Sequence, residues 1–112
     1  MAILLIQNQA TQEELQKMLE DLGDRIKVAV DIARSILVGG GMLHADCEAV
    51  LFQQGSGQED IWGADWYPKT KTVRCEAMIN LAPRRKNRSM EIQDPKVRER
   101  VESIVKSLLG NP

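Results

Sequence analysis

The sequence predicts an α+β domain, a small and mostly antiparallel sheet with helices packed on it, in the order β-α-β-β-α-β-β-α. Three observations carry this expectation. Several segments alternate apolar and polar residues with a period of two, as half-buried strands do. Others repeat apolar residues at helical spacing and carry start and stop signals. The strand segments come in pairs separated by a few turn-forming residues, which favours antiparallel pairing over crossovers. At 112 residues the chain is expected to form a single domain, 1–112.

The elements follow in order. Ala2-Ile3-Leu4-Leu5-Ile6 is the longest purely apolar run and suits a short strand buried on both faces. Thr11-Gln12-Glu13-Glu14 has the form of a capping box, in which the Thr hydroxyl accepts a backbone N–H and the Glu reaches back. Leu15, Met18, Leu19 and Leu22 recur at helical spacing and Gly23 offers the stop, so a helix is expected over 12–22. Between 25 and 43, Ile26, Val28, Val30 and Ile32 alternate with Lys27, Ala29, Asp31 and Ala33. A helical stripe, Ile26, Ala29, Val30, Ala33, Ile36 and Leu37, runs through the same residues. The density of β-branched side chains favours two strands, about 25–33 and 36–43, ended by Gly39-Gly40-Gly41.

Ala45 to Gln54 reads as a helix closed by Gly55-Ser56-Gly57. Ile61–Tyr67 and Thr72–Leu81 read as strands flanking the turn Pro68-Lys69-Thr70-Lys71. Pro83 stops the second, and a basic loop, Arg84 to Arg88, follows. Asp94-Pro95 places an N-cap before a proline at the first helical position. Val97, Val101, Ile104, Val105 and Leu108 then form the apolar face of a last helix ended by Gly110.

Charge and cysteines narrow the function classes. Fifteen Lys and Arg against sixteen Asp and Glu leave a net charge of −1, which disfavours non-specific coating of nucleic acid. No apolar run is long enough to cross a membrane, and no basic segment precedes the first one as in a signal peptide. The expected location is the cytoplasm, with no membrane contact. Cys47 and Cys75 lack metal-ligand spacing and read as reduced thiols.

Several strings together resemble a known family. They are Gly40-Gly41-Met42-Leu43-His44-Ala45-Asp46-Cys47-Glu48, then Gln58-Glu59-Asp60-Ile61-Trp62-Gly63, then Ile79-Asn80-Leu81 and Asn87-Arg88-Ser89-Met90-Glu91-Ile92, with Asp94 and Arg98. The chain, from about residue 3 to 110, is similar to an uncharacterised bacterial domain family of unknown function, well represented in cyanobacteria. The resemblance implies a small bacterial cytoplasmic protein and no catalytic residue.

Three constellations could carry chemistry. The first is His44-x-Asp46-x-Glu48, around the chain's only histidine. On an extended backbone the three side chains share a face and suit Zn²⁺, Mn²⁺ or Fe²⁺. On a helix only His44 and Glu48 align, and the carboxylates then serve the positive helix end. The second is Trp62 and Trp66, on one strand face with Ala64, as pocket floor, partner anchor or core. The third is the loop Arg84, Arg85, Lys86 and Arg88, suited to phosphate or to an acidic surface.

Two functions follow. One is a non-catalytic binding or interaction module that meets a protein or nucleic acid through Trp62, Trp66, Arg84, Arg85 and Arg88. The other is a small metal-dependent hydrolase or nuclease in which His44, Asp46 and Glu48, with Asp60 or Asp65 as an optional further ligand, hold a divalent ion that activates water. No other cofactor is expected. No GxSxG, phosphate loop or dinucleotide fingerprint is present. A homodimer fits both readings, since a small sheet leaves open edges.

Overall fold

The computed structural model describes residues 3–57, 60–76 and 95–110. Its element order is β1 (Ile3–Ile6), α1 (Gln12–Leu19), β2 (Ile26–Asp31), β3 (Ile36–Gly40), α2 (His44–Gln53), β4 (Ile61–Tyr67), β5 (Thr72–Glu76) and α3 (Pro95–Leu109). The expected α+β order holds. The five strands form one antiparallel sheet in the order β1-β3-β2-β4-β5.

Alternation along the strands builds a core on each side of the sheet. Ile26, Val28, Val30, Leu37, Trp62, Ala64 and Trp66 face Leu15 and Met18 of α1 and Val101, Ile104, Val105, Leu108 and Leu109 of α3. Ala29, Ile36, Val38 and Ile61 face Cys47 and Leu51 of α2. Thus α1 and α3 cover one face and α2 the other. Each fully buried Leu, Ile or Val contributes about 1.5–3 kcal/mol relative to exposure.

Local chemistry sets the boundaries. The capping box is complete: the Glu14 N–H donates to the Thr11 hydroxyl, and the Thr11 N–H to the Glu14 carboxylate. α1 ends at Leu19 rather than at the expected 22. Glu20 N–H tightens onto the Lys17 carbonyl, and Gly23, with φ of 83°, returns its N–H to Leu19. β3 ends at Gly40 rather than near 43, because Gly40 and Gly41 both take positive φ. Gly39 meets a different constraint. A Cβ there would lie 2.9 Å from Met18 Sδ and 3.1 Å from methyls of Ile26 and Val28.

β1 departs from the expected two-sided burial. It is an edge strand paired with β3, and Ile3, Leu4 and Leu5 are half-buried. The expected extension of β5 to Leu81, the basic loop and the Asp94 cap lie outside the described residues.

The β2–β3 turn is tied to both helical layers. Asp31, fully buried, accepts the Ala33 and Arg34 N–H groups on Oδ1 and the Ser56 hydroxyl on Oδ2 at 2.6 Å. Arg34 Nη1 donates to the Gln54 carbonyl at the end of α2. From the opposite layer, Arg100 of α3 donates to the Ile32 carbonyl and to Ser35 Oγ. Among the described helices, none is long and apolar enough to cross a membrane.

Candidate functional site

The site begins at the head of α2. The positive-φ pair Gly40-Gly41 turns the chain off the sheet, and Leu43 in extended conformation opens the helix without a side-chain cap. Asp46 supplies a carboxylate to the first turn, where the helix dipole favours it. His44, the first helical residue, is only 7% exposed and points at the sheet.

The His44 imidazole reaches β4. Its Nε2 lies 3.1 Å from the Ala64 carbonyl and 3.1 Å from Asp65 Oδ1. A carbonyl oxygen only accepts, so Nε2 carries the hydrogen and donates. Lys27 sits directly opposite Asp65 across the β2–β4 ladder. Its ammonium stands 3.7 Å from the same carboxylate oxygen. Burial raises the Asp65 carboxyl, but the His44 hydrogen bond and charge, with Lys27 and Arg25, outweigh it and hold the group below its ordinary value.

Cys47 lies one turn further along the same inner face. Its thiol points to the Gly40 carbonyl at 3.3 Å and the Lys27 carbonyl at 3.6 Å. Burial, reinforced by the Asp46 charge, pushes it up to about 12, so it is not a thiolate nucleophile at neutral pH. Cys75, half-buried on β5, is pushed up to about 11, mainly by burial and also by Glu102. Both cysteines are free. The chemistry open to His44, Asp65 and Lys27 is charge compensation: they tie the head of α2 to two central strands.

Of the residues of the metal reading, the structure brings His44 and Asp65 together and sets Asp46, Glu48 and Asp60 apart from them. His44 points inward, while Asp46 and Glu48 lie half-buried along the flanks of α2. Burial raises the Glu48 carboxyl. Asp60 sits at the far end of β4 from Asp65, where its carbonyl accepts the Ile32 N–H. Among the described residues no three His, Cys, Asp or Glu side chains cluster to hold a metal ion.

Trp62 and Trp66 stand on the α1/α3 face with Ala64, 7% and 2% exposed, within the core. Among the described residues neither indole N–H meets an acceptor. Arg84, Arg85 and Arg88 fall outside the described residues.

What the sequence reading missed is the outer side of α2. Among the described residues the exposed large hydrophobic ones are Met42 at 55%, Leu43 at 60% and Phe52 at 42%. All belong to α2 or its lead-in. Ala45 and Ala49 are exposed beside Phe52, at the i, i+4, i+7 spacing of one helical stripe. The signal lay in the composition of α2, which has apolar residues on both its inner and outer sides and only two charges, Asp46 and Glu48.

Comparison with known proteins gives one family. A family model described as "Protein of unknown function (DUF5674)" matches residues 4–108, in keeping with the resemblance to a family of unknown function. No curated protein and no solved structure matches the chain.

Proposed function

We propose, from the premise that this chain belongs to the DUF5674 family, that it is a non-catalytic interaction module whose docking face is the outer side of α2. One observation carries the reading: among the described residues the large apolar side chains left in solvent are Phe52 on α2 and Met42 and Leu43 in the segment that leads into it. An apolar surface of that kind on an otherwise charged small protein marks an interaction site. The flanking charges are Asp46 and Glu48, both acidic. That combination favours a protein over a nucleic acid.

The basic loop Arg84 to Arg88 remains a second candidate contact on such a module. The alternative, a metal-dependent hydrolase or nuclease on His44, Asp46 and Glu48, has less support. His44 Nε2 is already engaged by Ala64 and Asp65.

The test is a paired replacement, Leu43→Asp with Phe52→Asp. Both side chains are exposed, so the melting temperature should hold while capture of the partner from cell lysate is lost. Capture that survives both changes would remove α2 from the reading.

A further inference from the structure

We infer that Ser35 is a phosphorylation site and that Arg100 of α3 receives the phosphate. The inference does not rest on the docking face of α2.

Position makes Ser35 reachable. Asp31 and Ile36 close the β2–β3 hairpin, so residues 32–35 form its tip. Ala33 and Arg34 are exposed there and Ser35 is half-buried. Exposed tips of small and polar residues are where other enzymes most easily reach a folded chain.

Charge makes the turn a receiver. Arg100 Nη2 donates to Ser35 Oγ, and its Nε donates to the Ile32 carbonyl at 3.3 Å. Both acceptors are neutral, and among the described residues no carboxylate pairs with Arg100. Arg34, next to Ser35 in the chain, is tied to the Gln54 carbonyl and likewise has no carboxylate partner among them. Two guanidinium groups are thus fixed at one turn by neutral oxygens alone. A guanidinium matches phosphate with two parallel donors, and charge-assisted bonds of that kind are about twice as strong as neutral ones. The opposing charge is Asp31, whose carboxylate bonds the same turn. It already accepts the Ala33 and Arg34 N–H groups and the Ser56 hydroxyl.

The hydroxyl is free to react. Ser35 Oγ accepts from Arg100 and, among the described residues, donates to no protein acceptor. Its proton can leave without breaking a bond within the fold. In the step, Oγ attacks the γ-phosphorus of a nucleoside triphosphate held by a serine kinase. The bond from phosphorus to Oγ forms, the bond from phosphorus to the diphosphate breaks, and the hydroxyl proton passes to the kinase's base. The product sets a charge of about −1.5 to −2 where a neutral oxygen stood. Arg100 then bonds phosphate oxygens in place of a hydroxyl and fastens α3 more firmly to the β2–β3 turn.

The experiment uses the full chain with phosphoserine placed at position 35 during synthesis. Phosphorus NMR should put its second ionisation below the ~6 of an isolated phosphoserine, and Arg100→Gln should return it to that value. An unlowered value, or a lowered one that survives Arg100→Gln, would overturn the role of Arg100. The unmodified native chain is then treated with a serine kinase that prefers basic sequences and with magnesium ATP. Phosphopeptide mapping should find Ser35 modified. A chain modified only at other serines, or not at all, would overturn the site. Inorganic phosphate at millimolar concentration, added to the unmodified chain, should leave the Arg100 Nε–H signal in place. A saturable shift of that signal would assign the turn to a free anion and overturn the covalent reading.

Discussion

His44 Nε2 and Asp65 Oδ1 stand 3.1 Å apart, both side chains almost fully buried, and join the first residue of α2 to the middle of the sheet. The pair answers for its own burial, because the donor and the carboxylate each lose water and gain the other, with the Lys27 ammonium 3.7 Å from the same carboxylate oxygen. Removing one member leaves the other buried and short of a partner, the costlier kind of hydrogen-bond loss. His44→Ala should therefore cost about 1–3 kcal/mol in urea denaturation. A neutral result would mean that water replaces the imidazole.

The same pair sets an acid response. The Asp65 carboxyl is held below its ordinary value in the folded state, so its contribution is complete at neutral pH. It should be lost as pH falls below the ordinary carboxylate range, through the folded-state value. The urea midpoint of the wild type should drop there, and Asp65→Asn should show a shallower drop from a lower starting point. Parallel curves for the two proteins would count against this source of acid sensitivity.

Saturable imidazole shifts at His44 on adding Zn²⁺, Mn²⁺ or Mg²⁺ are the signature of the metal reading. The engaged Nε2 predicts that NMR titration with these ions will leave His44, Asp46 and Glu48 unshifted. Saturable changes centred on the three would reinstate the metal-enzyme alternative.

Cys47 should ignore a thiol reagent in the native protein. Its thiol is fully buried and pushed up to about 12, so neither access nor thiolate is available near pH 8. Labelling with Ellman's reagent should modify Cys75 slowly and Cys47 only after unfolding. Fast labelling of both would show that α2 opens readily from the sheet.

Gly39→Ala should destabilise by about 1–3 kcal/mol through overpacking. The added methyl would press on Met18 Sδ and on two β-branched side chains that cannot turn away. Trimming Met18 as well should relieve part of that loss, so the double variant should be less unstable than the sum of the singles. Strict additivity in thermal or urea unfolding would mean that the backbone moves instead.

The basic loop has its own test. Replacing Arg84, Arg85 and Arg88 with Ser should weaken capture of an acidic partner without moving the melting temperature. Unchanged capture would remove the loop from the interaction reading.

How far the sequence could be read follows from the range of each signal. Periods of two and of 3.6 are local, so the element order and the 26–40 hairpin were legible in Ile26, Val28 and Val30. Strand order is not local: an apolar Ile3-Leu4-Leu5-Ile6 fits an edge as well as a centre, and register with β3 decides it. The partners of His44 are likewise invisible in its own segment, since Ala64 and Asp65 arrive from twenty residues away. Trp62 and Trp66 show the same limit from another side. Large aromatic side chains serve interfaces and cores alike, and the layer laid over them by α1 and α3 determines which.

The turn between β2 and β3 has a mechanical consequence. Asp31, Arg34 and Ser35 fasten it to the end of α2 on one side and to Arg100 of α3 on the other. The two helical layers, which lie on opposite faces of the sheet, are buckled together at this corner. Neither layer can peel away without straining the other, so the corner acts as a rivet that makes their loss a shared event. Amide hydrogens under α2 and under α3 should accordingly exchange in one cooperative unit.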